Sequence, residues 1–261
     1  MATQKKQADP PAPGDSYVQS FARGLQVIRS FSAGAPRQTL SEVAAASGLT
    51  RAGARRILLT LQTLGYVDSD GRLFALTPRI LDLGFAYLSS MPIWNRAEPV
   101  MEALVQQVQE SCSAAVLDAT DIVYVMRVPT HKIMRISLGV GSRLPAYCTS
   151  MGRLLLADLD DEEVRARLEA STLEAFTRHT LTDIDALFAK VVQARRQRWC
   201  LVNQELEEGL ISIAAPIVDR AGRMVAALNI SGQANRTSAK VMQETMLPAL
   251  LAAAAEVSRL L

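Results

Sequence analysis

Apolar residues recur along the first eighty positions with nearly the period of an α-helix, and small residues interrupt the recurrence twice. In residues 20–31, "SFARGLQVIRSF", Phe21, Leu25, Ile28 and Phe31 follow at steps of four, three and three, which predicts a helix with one apolar face. "GAP" at 34–36 breaks the chain. "TLSEVAAASG", 39–48, predicts a short second helix, with Thr39 or Ser41 as its N-cap and Gly48 as a left-handed residue closing it. Only Leu49 and Thr50 separate that glycine from the next periodic segment, and Thr50 is itself a suitable N-cap. Two short helices around a tight glycine turn make a helix-turn-helix.

The third segment, "SGLTRAGARRILLTL" at 47–61, begins small and basic and ends greasy. At 100° per residue, Ala54, Ile57, Leu58, Leu61 and Leu64 share one stripe that would pack on the two earlier helices. Arg51, Arg55 and Arg56 project from the other side, all in the first two turns. A recognition helix needs this division, because its N-terminal part enters the major groove while its C-terminal part stays anchored in the domain. Ala52 and Gly53 let the backbone approach a duplex, at a cost of roughly 1 kcal/mol for the glycine. "LGYVDSDGRLFALTP", 64–78, then reads as a β-hairpin turning at Asp-Gly, a wing with Arg72 at its tip. The candidate DNA-facing set is Arg23, Thr39, Ser41, Thr50, Arg51, Ala52, Arg55, Arg56 and Arg72.

Charge sharpens this division. The whole chain of 261 residues carries only +2, yet residues 16–80 hold eight arginines against three acids, and residues 81–261 are net −3. A basic first quarter on a mildly acidic remainder predicts two modules with different partners. No apolar run reaches the ~18 residues of a membrane span. The start, "MATQKKQADPPAPGD", lacks the apolar core of an export signal and reads as a disordered tail over 1–15. Cys112, Cys148 and Cys200, odd in number and far apart, make no disulfide framework, so the expected compartment is the cytoplasm.

From about residue 95 the pattern alternates helix and strand. Residues 96–110 predict an amphipathic helix; "SAAVLDATDIVYVMRV" predicts two strands around Thr120-Asp121, and "KIMRISL" at 132–138 a third. Helices are expected at 150–157, 160–169 and 183–198, a hairpin over 210–232 turning at "DRAG", and a long closing helix at 238–260. Hairpins with helices between them imply an α+β domain around a mainly antiparallel sheet. "GVGSRLPAYCTSMGRLLLA", 139–157, runs a glycine-rich loop into a helix start, where exposed N–H groups, Thr149 and Ser150 suit a carboxylate and Arg143 adds a bidentate grip.

Five blocks carry a resemblance to the IclR family of bacterial transcription regulators: "FARGLQVIRSF", "LSEVAAASGLTRAGARRILLTLQTLGYV", "GRLFALTPRILDLGFAYLSS", "GSRLPAYCTSMGRLLLA" and "ISIAAPIVDRAGRMVAALNISG". They span about residues 18–235, and within the family they look most like the regulators of aromatic-acid catabolism. Gly53 departs from that subgroup, where alanine is usual. The resemblance implies a winged helix-turn-helix over 16–77, a linker helix over 78–94 that helps dimerise, and a GAF-like effector and oligomerisation domain over 95–261. Ile80, Leu81, Leu83, Gly84, Tyr87 and Leu88 give the linker a wide apolar face. Partners implied are operator DNA, a small carboxylic acid of the aromatic class, and further copies of the chain as homodimers or tetramers on DNA. The resemblance also carries a pocket onto Leu144, Ala146, Cys148, Ser150, Met151, Glu205, Ser212, Asn229 and Ser231.

Two other classes compete with this reading. One is a DNA-binding regulator whose second module only oligomerises. The other is an enzyme using Cys148, which would need a base beside the thiol. His131 and His179 sit in no metal-spaced or triad-like setting, and GxSxG, HExxH and GxGxxG are all missing. No catalytic residue, metal or cofactor is therefore expected.

Overall fold

The computed structural model describes residue 14 and residues 17–90, 93–130 and 138–261. The N-terminal tail apart from Gly14, His131, and the strand expected at 132–138 apart from Leu138 lie outside the described residues, as does the side chain of Leu88. The chain divides into two compact units, Met1–Ser89 and Ser90–Leu261.

The first unit runs α1 (Gln19–Arg29), β1 (Arg37–Thr39), α2 (Leu40–Ala46), α3 (Arg51–Thr63), β2 (Val67–Ser69), β3 (Leu73–Leu76), a 3-10 turn at Pro78–Ile80, and α4 (Leu81–Ser89). Its core joins Val27 of α1, Val43 and Ala44 of α2, Ala54, Leu58 and Leu61 of α3, and Val67 of the hairpin. Sequence periodicity overstates the covered faces. Phe21 and Leu25 remain exposed because α1 meets the core only from Val27 onward, and Leu64 is half exposed at the C-terminal end of α3. Three strands form the small sheet, in the order β1-β3-β2; β1 was too short to carry a periodic signal.

Capping explains how α2 and α3 begin. Thr39 Oγ1 accepts from the Glu42 amide at 3.3 Å, and the Glu42 carboxylate accepts from the Thr39 amide at 2.7 Å. This reciprocal capping box makes Thr39 the N-cap and leaves Ser41 inside the helix. Gly48, at φ +65°, makes the reversal, a conformation that a side chain would strain.

In the second unit, α5 (Ile93–Val108) precedes β4 (Ser111–Asp118), β5 (Asp121–Val128) and β6 (Arg143–Pro145). Then come α6 (Ser150–Leu156), α7 (Asp161–Ala170), α8 (Ile184–Gln197), β7 (Cys200–Asn203), β8 (Leu210–Val218) and β9 (Met224–Gln233). The described strands form one antiparallel sheet in the order β6-β5-β4-β9-β8-β7. The closing helix departs from a single α-helix: α9 (Ala239–Val241) passes through a π turn, Met242–Met246, into α10 (Leu247–Arg259). α5 and α10 pack on one face of the sheet and α6 on the other, with α7 and α8 outside α6. Alternation along each strand therefore buries both faces. Leu228 and Ile230 point one way and Asn229 and Ser231 the other, toward α6.

Candidate nucleic-acid interface and internal cavity

In the first unit the α2-turn-α3 arrangement presents the start of α3. Thr50 caps it, its Oγ1 accepting from the Gly53 amide at 3.1 Å. A Cβ on residue 53 would stand 3.2 Å from that same oxygen, so the glycine leaves the cap undisturbed. Arg51, Ala52, Arg55 and Arg56 are exposed, and among the described residues none of the three guanidinium groups has a hydrogen-bond or ion-pair partner. Leaving three like charges unpaired gains the fold nothing; it suits a surface that receives anions from outside.

Arg23, Ser41 and Arg72 are exposed as well, whereas the Thr39 hydroxyl is committed to its capping box. The wing has internal bracing that the sequence did not announce. Asp70 Oδ1 accepts from the amides of Arg72 and Leu73 at 3.0 and 2.8 Å, while Asp70 Oδ2 receives Arg37 Nη2 at 2.6 Å. Those backbone N–H groups, followed by Arg37, hold the Asp70 carboxyl below its ordinary range. Arg37, one of the eight arginines, thus braces the hairpin, and Arg79 lies over the Tyr66 ring at 5.5 Å. In this unit the exposed arginines without a partner among the described residues lie on α1 (Arg23 and Arg29), at the start of α3 and at the wing tip.

In the second unit a small cavity of about 30 Å³ lies between the sheet and α6. Leu138, Leu144, Met151, Val202, Leu206 and Leu210 supply its apolar wall. Its polar wall belongs to a row of residues that crosses four strands, of which Arg127, Asn229, Ser231 and Ser212 line the cavity. Arg127 on β5 stands opposite Ser113 on β4, and its Nη1 donates to Ser113 Oγ at 3.1 Å. Asn229 on β9 is the next residue across; its Oδ1 accepts from the Ser113 amide at 3.1 Å, and its Nδ2 donates to Ser231 Oγ at 2.9 Å. Ser231 faces Ser212 of β8, whose hydroxyl lies 2.9 Å from that of Ser150 on α6. A satisfied network of this kind is rigid, because every buried polar group has its partner. Tyr124 completes the wall, its phenol pushed up to about 12 by burial and so a neutral donor.

Glu205 closes one side of the cavity, its carboxylate gripped by both terminal nitrogens of the buried Arg153, at 2.6 and 2.5 Å. Arg153 Nε donates in turn to the Tyr147 carbonyl at 2.6 Å, and Glu205 Oε2 accepts from the Leu181 amide at 3.2 Å. Two charges taken from water survive only with this degree of pairing.

Of the expected pocket residues, Leu144, Cys148, Ser150, Met151, Glu205, Ser212, Asn229 and Ser231 line this cavity. Two expectations are corrected. Arg143 faces outward, where its Nη1 meets Asp118 at 2.6 Å and its Nε meets Asp121 at 3.1 Å; two carboxylates outcompete any interior role. Ala146 lies behind the wall, against Gly152, where an added Cβ would come within 2.3 Å of its Cα and carbonyl oxygen. The sequence reading missed Arg127. Its signal was a lone charge in the apolar run "IVYVMRV", a weaker mark than a glycine-rich loop. Thr149, expected beside the anion site, is spent capping α6 through the Gly152 amide at 3.2 Å.

The thiols do not favour catalysis. Burial pushes Cys148 up to about 12 and Cys200 to about 11, and raises Cys112 as well, so each stays protonated. His179 is exposed, with Arg178 Nε 3.2 Å from its Nε2. Among the described residues no helix is long and apolar enough to cross a membrane.

Residues 20–71 match the IclR helix-turn-helix domain, and residues 85–259 match the family described as bacterial transcriptional regulator IclR C-terminal. The chain belongs to the IclR family. Members of this family are transcription regulators, and the enzyme reading falls with that assignment. The Pca regulon regulatory protein of Pseudomonas putida is 44% identical over 238 residues, covering 91% of this chain and 82% of that protein. A transcriptional regulator of Rhodococcus sp. RHA1 has the same fold with a TM-score of 0.83 and 48% identity, over 94% of this chain and 98% of that one. An IclR homologue of Microbacterium hydrocarbonoxydans, solved in complex with 4-hydroxybenzoate, superposes with a TM-score of 0.80 at 25% identity, over 92% and 98% of the two chains. The IclR helix-turn-helix here is a DNA-binding module.

Proposed function

We propose that this IclR-family regulator controls genes for the breakdown of an aromatic carboxylic acid and senses such an acid in the cavity beneath α6. The observation that carries the reading is the cavity's polarity. A cationic Arg127, anchored on Ser113, makes one polar side with Asn229, Ser231 and Ser212, and the remainder is mostly apolar. A flat ring with one carboxylate matches that layout. A cavity of ~150 Å³ holds benzene, so the ligand enters by displacing flexible liners, of which Met151 is the most adaptable. The relatives support the class: one regulates a Pca regulon, and a structural neighbour holds 4-hydroxybenzoate.

In this reading residues 16–77 bind operator DNA through Arg23, Ser41, Thr50, Arg51, Ala52, Arg55, Arg56 and Arg72, with Thr39 serving as the cap that sets α2, residues 78–94 link, and residues 95–261 bind effector and assemble. Ligand changes operator affinity to the extent that it prefers one arrangement of paired DNA-binding domains. The compartment is the cytoplasm, where the operator lies. Gel shifts at fixed salt, with calorimetry against 4-hydroxybenzoate, protocatechuate and benzoate, test the reading. Binding heat together with an altered operator affinity supports it. No heat from any acid would leave the second domain with assembly alone.

Assembly itself is a homodimer built on α4, and tetramers form when two dimers share an operator. Leu81, Leu83, Phe85 and Tyr87 are all about half exposed or more on a nine-residue helix, an apolar surface that water penalises unless a partner covers it. Leu81→Glu with Phe85→Glu should yield monomers by analytical ultracentrifugation at micromolar concentration. A dimer of undiminished stability would remove α4 from the interface.

A further inference from the structure

Glu205 faces two spaces. Besides the cavity, it forms part of the floor of an open groove of about 350 Å³ on the outer side of the domain, between α8, the edge strand β7 and the π turn. Among the described residues, Glu205 is the one side chain that the cavity and the groove share. Arg153, on the groove side, holds that carboxylate in place.

The groove has a sign and a shape. Arg153 and Glu205 cancel, which leaves the exposed Lys190 of α8 as a cation with no ion pair among the described residues. Trp199 offers a flat aromatic wall, with Leu181 and Leu201 beside it. Asn203 and Gln243 add side-chain amides from two other elements. Gln243 belongs to the π turn, a local geometry that is rare inside helices and frequent at functional sites. A volume of this order is at the lower end of small-ligand sites.

We propose that this groove is a second ligand site, for a small monocarboxylate with a flat apolar body, separate from the cavity and coupled to it through the Arg153–Glu205 pair. The carboxylate meets Lys190 and the amides, and the ring lies on Trp199. A carboxylate bound there adds negative charge on the groove side of Arg153 and competes with Glu205 for its guanidinium, and the change reaches the cavity wall directly. The coupling rests on the cavity being the effector site; the groove's own binding does not.

The chain has two tryptophans, Trp94 and Trp199. Among the described residues Trp94 Nε1 is buried without a hydrogen-bond partner, so Trp94→Phe sacrifices no described hydrogen bond and leaves Trp199 as the sole reporter. Titrating that variant with benzoate up to ~10 mM, the weak end of specific binding, should give a saturable Trp199 fluorescence change. The change should survive Arg127→Met, which disables the cavity, and weaken at least about tenfold, some 1.4 kcal/mol, with Lys190→Glu. Operator binding is retained in Lys190→Glu. Equilibrium dialysis of the unaltered protein provides a measure independent of the tryptophan change: two benzoates per chain, and one in Lys190→Glu. A single benzoate per chain that persists in Lys190→Glu, no saturable change, or a signal lost with Arg127→Met and indifferent to Lys190→Glu would each overturn the groove. Should the cavity instead fail to bind, dialysis would show one benzoate per chain that is lost with Lys190→Glu, a result distinct from failure of the groove.

Discussion

Arg55→Ala weakens operator binding by about 1–3 kcal/mol, roughly 5- to 150-fold, with the loss concentrated at one base pair. The expectation follows from where α3 divides. Ala54, Leu58 and Leu61 are sealed into the core, which fixes the helix in rotation, and Arg55 lies on the side this leaves outward. Its guanidinium is exposed and has no acceptor among the described residues, so it surrenders no ion pair on reaching a base edge. Removing it should therefore leave the melting temperature of the free protein almost unchanged. Arg72→Ala provides the contrast. Held at the wing tip by the Asp70 turn, Arg72 suits a phosphate, and its loss should lower affinity evenly across sequences and reduce the salt slope by about one. Competition gel shifts over single-base operator variants, repeated at several salt concentrations, separate the two patterns. An Arg55→Ala protein with unchanged affinity and base preference would take that residue out of the readout.

The contrast between these arginines and the cavity shows which kinds of structure a sequence discloses. The outward placement of Arg51, Arg55 and Arg56 was legible because it is decided within one helix, where a period of 3.6 residues separates the faces directly. The hairpin at Asp219–Gly222 was legible for a similarly local reason: Asp219 Oδ1 takes the amides of Ala221 and Arg223, and Gly222 sits at φ +80°. The polar row under α6 is different. It places residues 113, 127, 212 and 229 side by side, and only strand register decides that they meet. Half of the row came from family resemblance, and the arginine at its end came from neither source. Arg143 shows the converse error. Its loop has the composition of an anion site, but the deciding fact is a pair of carboxylates 22 and 25 residues earlier, which β4, β5 and β6 bring against it. Short edge elements, β1, β6 and β7, escaped because three or four residues carry no measurable alternation. The π turn escaped because nothing in an apolar helical pattern marks the extra residue.

Arg127→Met should abolish the response to an aromatic acid while leaving operator binding intact. Arg127 is half-buried on β5 and anchored by Ser113 Oγ at 3.1 Å, so its guanidinium is oriented before any ligand arrives. A carboxylate ~4 Å away gains about 4 kcal/mol of Coulomb energy at the effective dielectric of partly buried sites. Desolvation of both groups returns part of that, and charge-assisted hydrogen bonds in proteins are worth about 1.5–3 kcal/mol net. Affinity should thus fall roughly 10- to 150-fold. Methionine keeps most of the side chain's length and apolar stem, so collapse of the wall is not the cause of the loss. Ser113 keeps its neighbour Asn229, whose Oδ1 already bonds the Ser113 amide, and the strand register survives. Arg143→Met is the matched control. It severs pairs with Asp118 and Asp121 that are largely exposed and contribute at most about 1 kcal/mol, and the effector response should persist unchanged. Calorimetry with 4-hydroxybenzoate and a ligand-dependent gel shift read both variants. Were Arg143→Met to lose the response and Arg127→Met to keep it, the carboxylate would bind outside the cavity, at the loop that the sequence first suggested.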